Sequence, residues 1–153
     1  MTQFTRGKDS DIQDCLAIAK GLPGYFRESA IANMAGDLVG EEFFVTRDAH
    51  ETTGFVCIKQ RNSFVFEILW MAVRDSLTGH GIGTLMMDNL CRDLESRMVR
   101  LVMVKTLAPT VDYPPYALTR RFYEKNGFVL IDVIDPYPKW DPGNPCAIYV
   151  RAL

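Results

Sequence analysis

Residues 64–98 read FVFEILWMAVRDSLTGHGIGTLMMDNLCRDLESRM, and three different patterns follow one another in that stretch. Phe64 to Val73 is almost wholly apolar, with Glu67 as its only charged residue. Both faces of such a strand are apolar, which predicts a central strand covered on both sides. From about Gly81 to Met98, Ile82, Leu85, Met86, Leu90, Leu94 and Met98 form an apolar stripe at helical spacing. Glycines at 79, 81 and 83 alternate in the turn between these two segments. Arg100 to Thr106, with Leu-Val-Met-Val at its centre, reads as the next strand. Strand, helix and strand in this order predict one βαβ crossover and a parallel pair.

Upstream, Thr2 to Arg6 reads as a short first strand. Asp9-Ser10-Asp11 is a helix-start cluster followed by Ile12, Cys15, Leu16 and Ala19 at helical spacing. Gly21-Leu22-Pro23-Gly24 ends that helix, and a second runs from about Glu28 to Leu38. Phe43 to Thr46 and Gly54 to Lys59 read as strands, with turns at Asp48–Glu51 and Arg61–Ser63. Downstream, Leu107 to Leu118 reads as a loop rich in proline and tyrosine. Thr119 to Asn126 reads as a short helix stopped by Gly127. Phe128 to Ile134 and Cys146 to Arg151 complete the strands, joined by the proline-rich segment from Asp135 to Pro145.

The 153 residues fit one domain, 1–153, with enough chain to bury a core unaided. A net charge of −2 gives no basic excess for a nucleic-acid footprint. No stretch is apolar enough to span a bilayer, and the first residues lack an apolar signal core. Cys15, Cys57, Cys91 and Cys146 include no Cys-x-x-Cys pair and read as small apolar core residues of a reducing compartment. A cytoplasmic protein with neither membrane nor nucleic-acid partner is the expectation.

A turn bare of side chains lets backbone N–H groups converge on one point, and a helix N-terminus adds unpaired donors and a positive dipole end. Together these make a diphosphate cradle out of residues 78–84. A tight βα connection is the plain alternative. The spacing G-x-G-x-G differs from the dinucleotide fingerprint G-x-G-x-x-G, antiparallel strands precede it, and no lysine follows it as in a P-loop.

The segment from Glu67 to Met87 resembles the acetyl-CoA signature of the GNAT superfamily. That signature is an apolar strand ending in valine, a turn of the form Arg/Gln-x-x-Gly-x-Gly/Ala, then a helix. Here the turn is Thr78-Gly79-His80-Gly81-Ile82-Gly83, with Thr78 in the slot usually held by Arg or Gln. Residues 119–128, TRRFYEKNGF, resemble the family's late helix, and Tyr116 stands where many members carry a donor-touching Asn. The tail from Trp140 to Cys146 resembles a prokaryotic subgroup. The resemblance implies an α/β (α+β) fold. Its central sheet would be mixed and mostly antiparallel, of about six to seven strands with one parallel βαβ pair, flanked by about four helices.

It also implies an N-acetyltransferase that moves an acetyl group from acetyl-CoA, as co-substrate, to a primary amine of a small molecule or peptide. The implied donor-binding set is Met71, Ala72, Val73, Thr78, Gly79, His80, Gly81, Ile82, Gly83, Thr84, Tyr116, Arg121 and Lys125. Met71 and Val73 would pair with the pantetheine arm like an added strand, and the N–H near Met71 or Ala72 would polarise the carbonyl. Tyr123, at the place of the family's tyrosine near the donor sulfur, is the candidate acid for the leaving thiolate. It is otherwise a core tyrosine of the helix.

Glu67 precedes Val73 by six residues, as does the general-base glutamate of some members. A lone carboxylate in such a strand is costly unless paired or hydrated. Two readings stay open: a base acting through water, and a structural glutamate paired with a neighbouring strand. Tyr25, Phe26, Tyr113 and also Tyr116 are candidate walls of an acceptor groove, or packing for their loops. His50 and His80 have no partner spacing for a triad or a metal site, and no metal is expected. The resemblance also implies a homodimer. An acyl-CoA-binding module or sensor without efficient chemistry is the alternative from another class.

Overall fold

The computed structural model describes all residues, 1–153. Seven strands form one sheet: β1 (Gln3–Arg6), β2 (Glu42–Asp48), β3 (Glu51–Gln60), β4 (Val65–Val73), β5 (Leu101–Leu107), β6 (Val129–Ile134) and β7 (Cys146–Ala152). Four α-helices accompany them: α1 (Ile12–Lys20), α2 (Glu28–Gly40), α3 (Ile82–Ser96) and α4 (Pro114–Lys125). The spatial order is β1-β2-β3-β4-β5-β7-β6, and only β4 and β5 are parallel. The mixed, mostly antiparallel sheet with one crossover is therefore present. No helix is long and apolar enough to cross a membrane.

Two apolar layers cover the sheet. α3 and α4 bury Ile82, Met86, Leu90, Leu94 and Tyr123 against Val56, Phe66, Ile68, Val102 and Val104. On the other face α1 and α2 bury Cys15, Ile18, Met34 and Leu38 against Val45, Phe55 and Cys57. β4 is the fourth of the seven strands and has a layer on each face, which is why its sequence is apolar on both sides.

Most boundaries move by a residue or two, and three differences from the sequence reading have a clear physical cause. α4 begins at Pro114, not Thr119, so Tyr116 and Leu118 are helical. Pro114 and Pro115 fill the first helical positions, where a missing N–H costs nothing. Met98 is outside the apolar stripe: α3 ends at Ser96, and Met98 takes the left-handed stop (φ 63°) that glycine usually supplies, leaving its side chain exposed. The 48–51 turn is tighter than expected, with β3 starting at Glu51 and Ala49 at φ 53°.

Candidate active site

The register of β4 changes halfway along. Ile68 faces Ile58 of β3 and Trp70 faces Cys57, so Leu69 is one residue too many. This β-bulge shifts the alternation of side chains. Before it, Phe66 and Ile68 face the α3/α4 layer; after it, Met71 and Val73 do, while Leu69, Trp70 and Ala72 face the α1/α2 layer. Pairing with β5 stops at the same place, since the last matched residues are Ile68 and Val104. Beyond them the two parallel strands separate into a split, with Leu69 to Val73 on one side and Lys105 to Leu107 on the other.

Backbone direction within the split follows from β3. The Arg74 N–H donates to the Thr53 carbonyl at 2.8 Å. Antiparallel alternation then turns the peptide groups of Trp70 and Ala72 toward β3 as well. The N–H and C=O groups of Met71 and Val73 point the other way, into the split. Ala72 contributes no free amide there, unlike the sequence expectation for the pair Met71 and Ala72.

The turn after β4 supplies donors of a different kind. Gly79 (φ 83°) and Gly81 (φ 82°) both take the left-handed conformation, which suits glycine and strains other residues. Gly83 serves packing instead: a Cβ there would lie 3.0 Å from the Phe122 ring of α4. The first backbone bond of α3 runs from the Leu85 N–H to the Gly81 carbonyl. The six N–H groups from Gly79 to Thr84 therefore donate to no group of the chain, and no side chain caps the helix or places an acid in its first turn. The His80 ring is turned back, with Nδ1 3.1 Å from the Leu77 carbonyl. A helix end with this many open donors and a positive dipole attracts an anion. Thr78 and Thr84 are exposed at its rim, and Arg121 and Lys125 stand exposed on α4.

Tyr123 lies on α4 in the α3/α4 layer, only 6% exposed, between the rings of Phe122 (5.5 Å) and Phe128 (5.3 Å). Burial pushes its phenol well above the ordinary tyrosine value, so the hydroxyl keeps its proton at neutral pH.

Glu67 is on the opposite face of the sheet, just before the bulge. Its side chain is 5% exposed and carries two cations. Arg61, from the β3–β4 turn, donates Nε to Oε1 at 2.6 Å and adds an Nη2 contact to the same oxygen. Lys105 Nζ stands 3.4 Å from Oε2. The carboxylate is thus paired on both oxygens, which explains how an acid survives in so apolar a strand. Lys105 is also 5.2 Å from the centre of the Tyr137 ring.

The aromatic residues near the split form one continuous chain. Tyr113 touches Tyr116 (5.4 Å), Tyr116 touches Tyr25 (6.1 Å), Tyr25 touches Phe26 (6.4 Å) and Phe26 touches Trp70 (6.2 Å). The Tyr113 hydroxyl donates to the Gly24 carbonyl, and the Tyr116 hydroxyl donates to Tyr25 O at 2.9 Å. These bonds tie the start of α4 to the α1–α2 loop. Tyr116 is therefore directed at that loop by its hydroxyl. The Trp70 N–H donates to Asp37 at 2.7 Å, and Arg27 pairs with Asp141 at 3.6 Å across to the β6–β7 connection. Sequence reasoning brought out Tyr25, Phe26, Tyr113 and Tyr116 but missed Trp70, Arg61 and Lys105. Trp70 is legible only once the bulge is known. The two cations are far from Glu67 along the chain or in a turn, and nothing in their local sequence marks them.

The family model for the acetyltransferase (GNAT) domain matches residues 39–130. The chain belongs to the GNAT acetyltransferase family. Solved structures agree in fold over nearly the whole GNAT chain. A GNAT-family acetyltransferase from Desulfovibrio desulfuricans superposes with a TM-score of 0.87 at 19% identity, covering 99% of both chains. The ribosomal-protein-S18-alanine N-acetyltransferase from Escherichia coli gives 0.80 at 16% identity, covering 99% of this chain and 94% of that one. A GNAT acetyltransferase from Elizabethkingia anophelis, solved with acetyl-CoA bound, gives 0.76 at 16% identity over 99% and 98%. No curated protein matches the chain in sequence. In the GNAT domain the matched segment contains α3, the turn before it, the bulged strand and Tyr123, whereas the α1–α2 loop, Asp37 of α2 and the β6–β7 connection fall outside it.

Proposed function

We propose that this domain transfers an acetyl group from acetyl-CoA to a primary amine of a small molecule or peptide, by direct attack without a covalent enzyme intermediate. The observation that carries the reading is the run of six unpartnered N–H groups from Gly79 to Thr84 at the head of α3. A diphosphate meets that run as an anion meets any open helix start. The arm beyond the diphosphate then lies along Met71 and Val73, whose free N–H and C=O groups accept it as an added strand. This places the thioester at the apex of the split, where β4 and β5 part.

At the apex the two faces of the sheet supply different chemistry. Tyr123, held protonated by burial, gives a proton to the departing thiolate. On the other face Glu67 receives the amine proton through water at Oε2, where the paired cation, Lys105, stands off at 3.4 Å, whereas Arg61 holds Oε1 at 2.6 Å. Tyr25, Phe26, Tyr113 and Tyr116 wall the acceptor approach, with Trp70 beside them. An aromatic wall suits a cationic acceptor, and the hydroxyls of Tyr113 and Tyr116 are already engaged by carbonyls.

Thr84→Asp tests the donor site because its two effects have opposite signs. A carboxylate in the first turn of α3 is expected to stabilise the helix by about 0.3–1 kcal/mol. The same charge repels a diphosphate, and CoA affinity measured by calorimetry is expected to fall about tenfold, which corresponds to roughly 1.4 kcal/mol. Unchanged affinity in a stably folded Thr84→Asp protein places the donor elsewhere. Tyr123→Phe is expected to lower turnover in a thiol-release assay with little change in CoA binding.

One observation favours a second reading, a donor-binding module with little turnover: both Glu67 oxygens already hold cations. CoA binding with no thiol release across a broad amine panel supports the module and removes the transferase.

A further inference from the structure

Lys105 is the first residue of β5 beyond the last one matched to β4, so it stands at the apex of the split. Val104 faces the α3/α4 layer, and alternation puts Lys105 on the opposite face, with Glu67. Its amine has the surroundings that an acceptor ammonium requires: a carboxylate oxygen at 3.4 Å to take a proton, and an aromatic face at 5.2 Å to hold the cation. The side chain keeps 19% of its surface, so the amine is neither sealed nor free in solvent. No other lysine is placed like this. Lys8, Lys20, Lys125 and Lys139 are exposed, and Lys59 pairs with Glu41 at 3.7 Å.

We propose that Lys105 is a modification site: its ε-amine accepts the acyl group of a thioester bound in the split, giving an Nε-acyl-lysine at the apex. The proposal rests on the donor reading above. The ammonium proton passes to Glu67 Oε2 and on to solvent. The freed electron pair on Nζ attacks the thioester carbonyl carbon, the N–C bond forms and the C–S bond breaks. The thiolate leaves and is protonated, so acyl thioester and lysine become amide and free thiol. Acylation removes the charge on Lys105, which ends its pairing with Glu67 and its hold on the Tyr137 ring. Glu67 is then left with Arg61 alone. The modified chain therefore has a different acceptor side from the unmodified one.

The test incubates the full chain with acetyl-CoA and follows each lysine-bearing peptide by mass spectrometry, with acetyl-CoA binding measured by calorimetry on the same sample. Lys105 is expected to gain one acetyl group at least about tenfold faster than Lys8, Lys20, Lys125 or Lys139, as proximity to a bound reactant requires. The rate is expected to saturate with acetyl-CoA and to be suppressed by excess CoA. Lys105→Arg keeps a cation beside Glu67 and is expected to abolish the fast phase without changing CoA affinity. A chain that binds acetyl-CoA yet acylates Lys105 no faster than its exposed lysines overturns the proposal and leaves the donor reading standing. So does a fast phase that persists in Lys105→Arg. A chain that binds no acetyl-CoA overturns both.

Discussion

The two halves of β4 are both mainly apolar and have opposite fates. Phe66 to Ile68 has β3 on one side and β5 on the other, and its one charged residue is closed off by Arg61 and Lys105. Trp70 to Val73 has β3 on one side and the split on the other. Between them lies a single extra residue, Leu69. One half of this strand leaves hydrogen bonds unmade, and a one-residue bulge decides which half it is; the proposed donor site rests on those open groups. The turn at Gly79 to Thr84 extends the same principle past the end of the strand. Its open N–H groups cost little only because they face solvent or a ligand.

Proline substitution is the sharpest way to break this comparison. Ala72→Pro removes an amide directed at β3 and is expected to cost about 3 kcal/mol or more, read as a large drop in melting temperature or loss of soluble protein. Met71→Pro removes an amide directed into the split, where no ladder bond is lost. Its stability cost is expected to be the smaller one, set by the trimmed Met side chain. Its CoA affinity is expected to fall about tenfold, from the lost pairing with the donor arm. Equal melting temperatures for the two variants would mean that the flanks of β4 are equivalent, and the split would have no basis.

Much of this architecture is legible in the sequence, because its signals are local. The apolar run of β4, the helical stripe of α3 and the three glycines between them each have their own period. The bulge is not legible. Leu69 is apolar, as are both residues beside it except for the indole N–H of Trp70, so no alternation exists to be interrupted. The start of α4 is hidden for a related reason: two prolines and two tyrosines carry loop character, yet prolines in the first turn cost the helix nothing. At the site, Glu67, Tyr123 and the glycine turn stand out by type and spacing. The partners of Glu67 do not, since Arg61 reaches it from the β3–β4 turn and Lys105 from the neighbouring strand β5.

A second prediction asks whether water enters beside the open half of β4 on one flank or on both. Cys57 of β3 lies opposite Trp70, on the flank away from the split. Burial pushes its thiol up to about 12, and Cys15 in the same layer is likewise pushed up to about 12. In the unfolded chain these thiols ionise near ~8.5. The folded state therefore holds protons that the unfolded state releases, and stability is complete below about pH 8 and declines as pH rises toward 12. The expected slope is about 1.4 kcal/mol per pH unit for each thiol across that window. Thermal melts from neutral to alkaline pH measure it. Alkylation of native protein at pH 8 should leave Cys57 unmodified; a rapid reaction there would open the β3 flank and make the two sides of the strand alike.

The smallest expected effect concerns Thr106, on the end of β5 that pairs with β7 but no longer with β4. It is 4% exposed, faces the α3/α4 layer beside Val104, and its Oγ1 is buried with no hydrogen-bond partner. A sealed, unpaired hydroxyl contributes nothing to the fold, and replacing it by a methyl group of the same shape is neutral or favourable. Thr106→Val is expected to leave the melting temperature unchanged or raise it, by at most about 1 kcal/mol of stability. The outcome bears on what the split is. Neutrality means that the end of β5 beyond Val104 carries polar groups the fold itself does not use, as Met71 and Val73 do on β4. A loss larger than about 1 kcal/mol means that the hydroxyl has a partner in the folded protein. The far side of the split is then as closed as the Phe66 to Ile68 half of β4, and the open surface belongs to β4 alone.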